Sequence, residues 1–124
     1  MTVNICNHRR GFFSIFQLSE LVHRVLNEDK ICVTLGGDHA IGIGTIHGVT
    51  SAFPSSCLLW IDAHADINTM NNSKSGNMHG MCVGFNVEQV FSQNDKKYQV
   101  PWLKPRLKPD RIAYIGLRCV DPGT

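Results

Sequence analysis

The sequence predicts an α/β fold, a parallel sheet flanked by helices, and three observations predict it. Apolar residues recur at helical spacing from Leu18 to Leu26. Two short apolar runs, 31–35 and 57–61, lack the alternation of a strand that is polar on one face. Helical and strand-like segments then alternate along the chain, the order that builds a parallel sheet. At 124 residues and 43% hydrophobic, the chain can form one core and is too short to argue for two, so residues 1–124 read as one unit without an internal boundary.

The first element is an amphipathic helix carrying Leu18, Leu21, Val22, Val25 and Leu26, with Glu20, His23, Arg24 and Asn27 between them. Ser14 and Gln17 have the spacing of a capping box at its start. Ile31 to Leu35 is β-branched and apolar and ends at Gly36-Gly37, as a buried strand opening into a tight turn does. Asp38 stands where a helix N-cap belongs, ahead of Ala40, Ile41, Ile43 and Ile46, with Gly42 and Gly44 lowering helical propensity. Pro54-Ser55-Ser56 breaks the chain before Cys57-Leu58-Leu59-Trp60-Ile61, which reads as a central strand covered on both faces. Residues 67–80 are rich in Asn, Ser and Gly and read as a long loop. Met81 to Phe91 reads as a helix weakened by Gly84, 101–109 with three prolines as irregular, and Arg111 to Leu117 as a third strand.

Composition excludes several classes. Twelve basic and ten acidic residues give a formal charge of +2, which calls for neither nucleic acid nor an acidic surface. No segment has the apolar length of a bilayer span, so no membrane partner is expected. His8, Arg9 and Arg10 precede an apolar stretch as in a leader peptide, but Gln17, Ser19 and Glu20 interrupt it and no small-residue cleavage site follows. The five cysteines (Cys6, Cys32, Cys57, Cys82, Cys119) are odd in number and form no C-x-x-C pair, which favours a reducing compartment. A cytoplasmic location is therefore expected, with a mitochondrial one as the alternative.

The chemistry concentrates just after the strand-like runs. Asp62, His64 and Asp66 are spaced by two beyond Ile61, so an extended backbone would point all three to one side. His39 follows the other run, and the carboxyl ends of parallel strands face a common ligand crevice. Carboxylates and imidazoles without thiolate suit a metal of intermediate hardness such as Mn²⁺, with Zn²⁺, Fe²⁺ and Co²⁺ compatible by ligand type. Two ions bridged by a carboxylate can lower the pKa of a shared water until it is a hydroxide nucleophile. Singly, each piece also reads as an ordinary polar turn or a helix cap; the two together, at the ends of consecutive strands, favour the metal.

Gly36-Gly37-Asp38-His39, then Asp62-Ala63-His64-Ala65-Asp66-Ile67-Asn68-Thr69, then Ser75-Gly76-Asn77-Met78-His79-Gly80-Met81, in this order, resemble the arginase family of ureohydrolases. The resemblance covers residues 14–123. The first two motifs are shared with agmatinases, whereas Asn68 and the S-G-N-x-H-G segment resemble arginase itself. The resemblance implies an arginase/deacetylase-like three-layer αβα fold, here incomplete, with a strand expected before residue 1 and further βα units after residue 124. It implies two Mn²⁺ ions, with His39, Asp62 and Asp66 on one, His64 on the other and Asp62 bridging. It further implies hydrolysis of L-arginine to L-ornithine and urea by a metal-bound hydroxide, with Asp66 and His79 as catalytic residues and His79 moving protons. A histidine suits that task because its ordinary pKa lies near neutrality; a loop histidine bonded to backbone is the plain alternative.

Asn68, Ser75 and Asn77 match positions that take the α-carboxylate of arginine, and Asp121 matches one that holds the α-amino group, although Asp121-Pro122-Gly123 also has the composition of a turn. The family's downstream D-x-D aspartates lie beyond this sequence, which leaves His64 and Asp62 for the second ion. Cys119 stands where an acidic residue is common, Cys82 where proline is, and Thr124 where a glutamate is. Two other outcomes are therefore carried forward: a non-catalytic variant that binds one metal, forms a homo-oligomer or associates with full-length arginase subunits, and a ureohydrolase acting on agmatine or another guanidino compound.

Overall fold

A computed structural model describes residues 5–119 of the chain. Its elements are helix α1 (Ile5–Asn27), helix α2 (Ile41–Ala52), strand β1 (Leu58–Ile61), the short helix α3 (Glu88–Phe91) and strand β2 (Ile112–Ile115), with single 3₁₀ turns at Met78–Met81, Gly84–Asn86, Lys96–Tyr98 and Pro109–Arg111. β1 and β2 pair in parallel, Leu58 opposite Ile112 through Ile61 opposite Ile115. The expected parallel α/β arrangement is present, in a two-stranded form.

α1 is longer than the periodicity predicts, and Ser14 lies inside it rather than capping it. The reason is a stripe that continues upstream of Leu18. Phe12 meets Phe85 edge-on with ring centroids 5.5 Å apart, Phe16 reaches Trp102 at 5.3 Å, and Ile15, Ser19 and Val22 are buried on the same side. Two glycines of α2 let the helices touch backbone to backbone. A Cβ at Gly44 would lie 2.5 Å from the Ile15 carbonyl oxygen, and one at Gly48 would lie 2.7 Å from that of Ser19. The glycines that weaken α2 as an isolated helix are thus what allow it to pack.

The core forms on one side of the sheet. Ile43, Met81, Cys82, Phe85 and Leu103 make one buried cluster, and Ile46, Val83, Val87 and Leu107 make a second against which Leu58, Trp60, Ile112 and Tyr114 pack. On the other side Leu59, Ile61 and Ile115 are exposed, so β1 is covered on one face and not both. Among the described residues no helix covers that second face.

Two further expectations fail. The 31–35 run forms no strand and joins no ladder, and Ile31, Val33 and Leu35 are 91%, 75% and 91% exposed. A strand is stabilised by its neighbours, and none of the described residues stands alongside to pair with it. The expected helix from Met81 to Phe91 is replaced by two 3₁₀ turns and the single α turn of α3. The amides of Val83 and Gly84 are both given to the carbonyl of Asp66, each at 3.0 Å.

A buried histidine ties the helices to the 101–107 segment. The Lys104 amide donates to His47 Nε2 at 3.3 Å, which leaves the ring proton on Nδ1 to be donated to Ser19 Oγ at 2.7 Å. The Trp102 ring packs edge-on at 5.4 Å and the Arg106 guanidinium lies 3.4 Å from Nε2. Burial, then the positive charge of Arg106 and that of His23, push the His47 pKa down to about 4.

Gly44→Ala is expected to lower unfolding free energy by about 2 kcal/mol, since overpacking forces the helices apart. Denaturant titration checks it, and a loss below about 0.5 kcal/mol would show that α1 and α2 separate easily. Because the folded His47 pKa lies below the unfolded value of 6.5, its stabilising effect is complete above pH 6.5 and drains away as pH falls toward about 4. Thermal midpoints from pH 7 to pH 4 should fall more steeply for the native chain than for His47→Gln, by the equivalent of about 3 kcal/mol over the window. Parallel curves would mean that His47 titrates alike in both states.

Candidate metal centre

The centre is assembled where three segments end. After Ile61 the chain leaves the ladder through Asp62, whose amide still donates to the Ile115 carbonyl at 3.1 Å. The backbone bends at once, so the side chains of Asp62, His64 and Asp66 do not line up by extended periodicity. Three local features aim them instead.

The His64 amide donates to Asp62 Oδ1 at 2.9 Å, which fixes the carboxylate. That bond outweighs the opposing effect of desolvation and, with the nearby His39 and His64 rings, holds the Asp62 carboxyl below the usual carboxylate range. Asp66 sits at φ 49°, a left-handed conformation that aspartate tolerates better than most residues. Its carbonyl receives the Val83 and Gly84 amides, and a Cβ at Gly84 would lie 2.6 Å from the Asn68 carbonyl oxygen, so only glycine permits the approach. From β2, Tyr114 donates its hydroxyl to the Ala65 carbonyl at 3.1 Å. Burial, then the charge of Asp66, raises the Tyr114 pKa, which keeps that hydroxyl a donor.

His39 arrives from the turn before α2. Asp38 Oδ1 accepts the Ala40 amide at 2.7 Å, so the aspartate orders this turn although the helix itself starts at Ile41 with Ala40 as its cap. The His39 ring lies 5.4 Å from the Trp60 ring in an edge-on contact. Cys82, completely buried, places Sγ 3.3 Å from the carbonyl oxygens of both His39 and His79. Burial, then the charges of Asp66, Asp38 and Asp62, push that thiol up to about 12, so it remains a neutral donor.

The result is a compact trio. His39 Nε2 is 2.8 Å from Asp66 Oδ2 and 3.7 Å from Asp62 Oδ2, and the potential ligand atoms of all three residues lie within 4.8 Å of one another. His64 Nδ1 stands 3.5 Å from the other Asp62 oxygen, Oδ1, and is more exposed. Asp62 therefore faces His39 with one oxygen and His64 with the other. Two imidazoles and two carboxylates without a thiolate are a donor set for a divalent ion of intermediate hardness, and three donors already converge.

Beside the trio a cavity of about 310 Å³ is lined by His64, Asp66, Asn68, Asn72, Ser73, Lys74, Ser75, His79 and Gly80. His79 stands on the 3₁₀ turn Met78–Met81 and is exposed at the rim. Asn77 is exposed and outside the lining; its amide donates to Ser75 Oγ at 3.2 Å. Asp121 and Thr124 fall outside the described residues. Sequence reasoning missed Lys74, Trp60 and Cys82. Trp60 was hidden in an apolar strand and Cys82 in an apolar run, while Lys74 was one charge in a polar loop.

A family model described as "Arginase family" matches residues 1–124. Human mitochondrial Arginase-2 is 47% identical over 121 residues, which are 95% of this chain and 33% of that protein. The arginase of Glaciozyma antarctica is 42% identical over 86% of the chain and 31% of its own length. The solved structure of a cold-adapted arginase from that yeast superposes with a TM-score of 0.81 at 38% identity, covering 95% of this chain and 42% of the other. Arginase from Bacillus subtilis superposes at 0.75, with 34% identity over 88% of this chain and 37% of its own. The chain spans about a third of the length of the curated relatives it matches. With its whole length matched by the family model and its described fold superposing on solved arginases, the chain belongs to the arginase family.

Proposed function

We propose that this chain carries the first metal sphere and part of the substrate pocket of a manganese-dependent arginase, which hydrolyses L-arginine to L-ornithine and urea. The observation that carries the reading is the convergence of His39, Asp62 and Asp66 beside a cavity whose wall is built largely of polar loop side chains, Asn68, Asn72, Ser73 and Ser75 among them. His39, Asp62 and Asp66 would hold one Mn²⁺ ion, and His64 with the second oxygen of Asp62 would contribute to another. Ions bound in this way supply an activated water near neutral pH, which is the chemistry that guanidinium hydrolysis needs.

The chain's own residues do the remaining work. The acidic end of the pocket attracts the guanidinium and holds its carbon near the metal sphere. Asn68, Ser75 and Asn77 donate hydrogen bonds to the α-carboxylate, and Asp121 accepts from the α-amino group. His79, facing the cavity rim, moves a proton to the departing side-chain nitrogen of ornithine. Water adds to the guanidinium carbon, the bond from that carbon to the side-chain nitrogen breaks, and urea and ornithine leave.

A second reading is favoured by one observation: two ligands, His64 and Asp62, are few for a second ion. On that reading the chain is non-catalytic and binds one metal or associates with full-length arginase subunits or copies of itself. One relative is named a mitochondrial arginase, which keeps a mitochondrial location beside the cytoplasmic one proposed for this chain.

Asp66→Asn and His39→Ala are expected to weaken Mn²⁺ binding by about tenfold or more, since loss of a metal-site partner costs on that scale. His64→Ala should leave the tighter ion within about threefold. Electron paramagnetic resonance titration of free Mn²⁺ measures all three, and equal effects of the three substitutions would show that the ions are not divided in this way. Urea release by the Mn²⁺-loaded chain tests the reaction: arginine should be preferred to agmatine, and one weakly held ion without any urea from arginine would reject the catalytic reading in favour of the second.

A further inference from the structure

The loop from Thr69 to Asn77 is held by its own side chains. Asn72 Oδ1 accepts the Thr69 amide at 2.7 Å, Thr69 Oγ1 accepts the Asn72 amide at 3.2 Å, and Ser73 Oγ accepts the Gly76 amide at 3.1 Å. The Met70 amide is bound by the buried Asn94 at 2.6 Å, and Asn71 reaches the Gln93 carbonyl at 2.8 Å. Gly76 at φ 69° closes the turn. Such a loop presents its outward residues at a fixed place instead of sweeping them through solvent.

Lys74 is one of those residues. It is exposed and lines the same cavity as Asp66, and among the described residues it makes no ion pair. The other lining groups around it, Asn72, Ser73 and Ser75, are neutral. The cavity lining therefore carries both signs of charge unpaired with each other, the carboxylate of Asp66, with Asp62 close to it through His39, and the ammonium of Lys74 on the loop. A ligand with a cation at one end and an anion at the other matches that lining, and one with cations at both ends does not.

We infer that Lys74 is a specificity-determining residue that selects guanidino substrates bearing a carboxylate at the end remote from the guanidinium. This rests on the reading of the cavity as a guanidino-substrate pocket and adds what the neutral donors Asn68, Ser75 and Asn77 do not supply, a charge. L-arginine carries the required carboxylate. Agmatine lacks it and offers a second cation, which Lys74 repels.

The test is equilibrium dialysis of labelled L-arginine and agmatine against the metal-free chain, where no turnover depletes the ligand. Lys74→Met should weaken arginine binding about three- to fivefold, the scale of a partly exposed ion pair, and leave agmatine binding unchanged or tighter. Lys74→Arg should retain the preference for arginine, and Lys74→Glu should invert it. Raising salt to about 0.5 M should shrink the native preference and leave that of Lys74→Met unaffected. The thermal midpoint should stay the same in every variant. An undiminished preference in Lys74→Met overturns the inference, as does failure of the native chain to bind arginine saturably. Either result is independent of the Mn²⁺ and urea measurements, which decide the reading of the reaction separately.

Discussion

The site depends on how Asp66 is held. Its carbonyl takes two amides from the 83–84 turn, and its carboxylate meets His39 Nε2 at 2.8 Å. One residue thus ties the loop after β1, the buried 81–87 stretch and the turn before α2 into a single rigid junction. The left-handed backbone that this requires costs on the order of 1 kcal/mol or more, and the surrounding bonds have to over-determine it. They do: Gly84 clears the space, Tyr114 holds the preceding carbonyl, and residues 81–87 are buried without a gap.

Much of this was legible in the sequence, and the boundary of legibility is physical. Leu58–Ile61 and Ile112–Ile115 were readable because β-branched and aromatic residues between turn signals leave few alternatives. α1 and α2 were readable from 3.6-residue spacing, whereas the start of α1 was not, because Phe12 and Phe16 find partners more than 65 positions away, in Phe85 and Trp102. The metal-type residues were legible as chemistry, but the means of their convergence was not. Spacing by two suggested an extended backbone, and the structure uses a bend, a carboxylate bonded to the next-but-one amide and a left-handed aspartate.

The unpaired 31–35 segment shows the same boundary from the other side. Its composition is that of a buried strand, and composition describes what a segment needs without supplying it. With Leu21, it leaves a continuous apolar surface along α1, and Leu59, Ile61 and Ile115 leave another on the sheet. The solved arginases match this chain over only 35–42% of their own length, so the same elements in those proteins have much more chain against which to pack.

That contrast explains why the two halves of the metal centre differ. His39 and Asp66 are backed by Trp60, Cys82 and the core beneath them, so the first sphere is fixed by contacts that close within the chain. His64 is fixed by an edge. Ile61 pairs with Ile115 but His64 with Cys119, so the partner strand has gained one residue, and the amides of Arg118 and Cys119 both point to the Ala63 carbonyl at 2.9 and 3.1 Å. This is a bulge, permitted by Gly116 at φ 88°, and bulges re-aim side chains where sheets meet active sites. It turns His64 out of the core and toward the cavity, with no packed layer behind it comparable to the one under His39. A side chain held in that way is less constrained than one backed by the core, which is why His39, Asp62 and Asp66 converge within 4.8 Å while the exposed His64 meets only the far oxygen of Asp62.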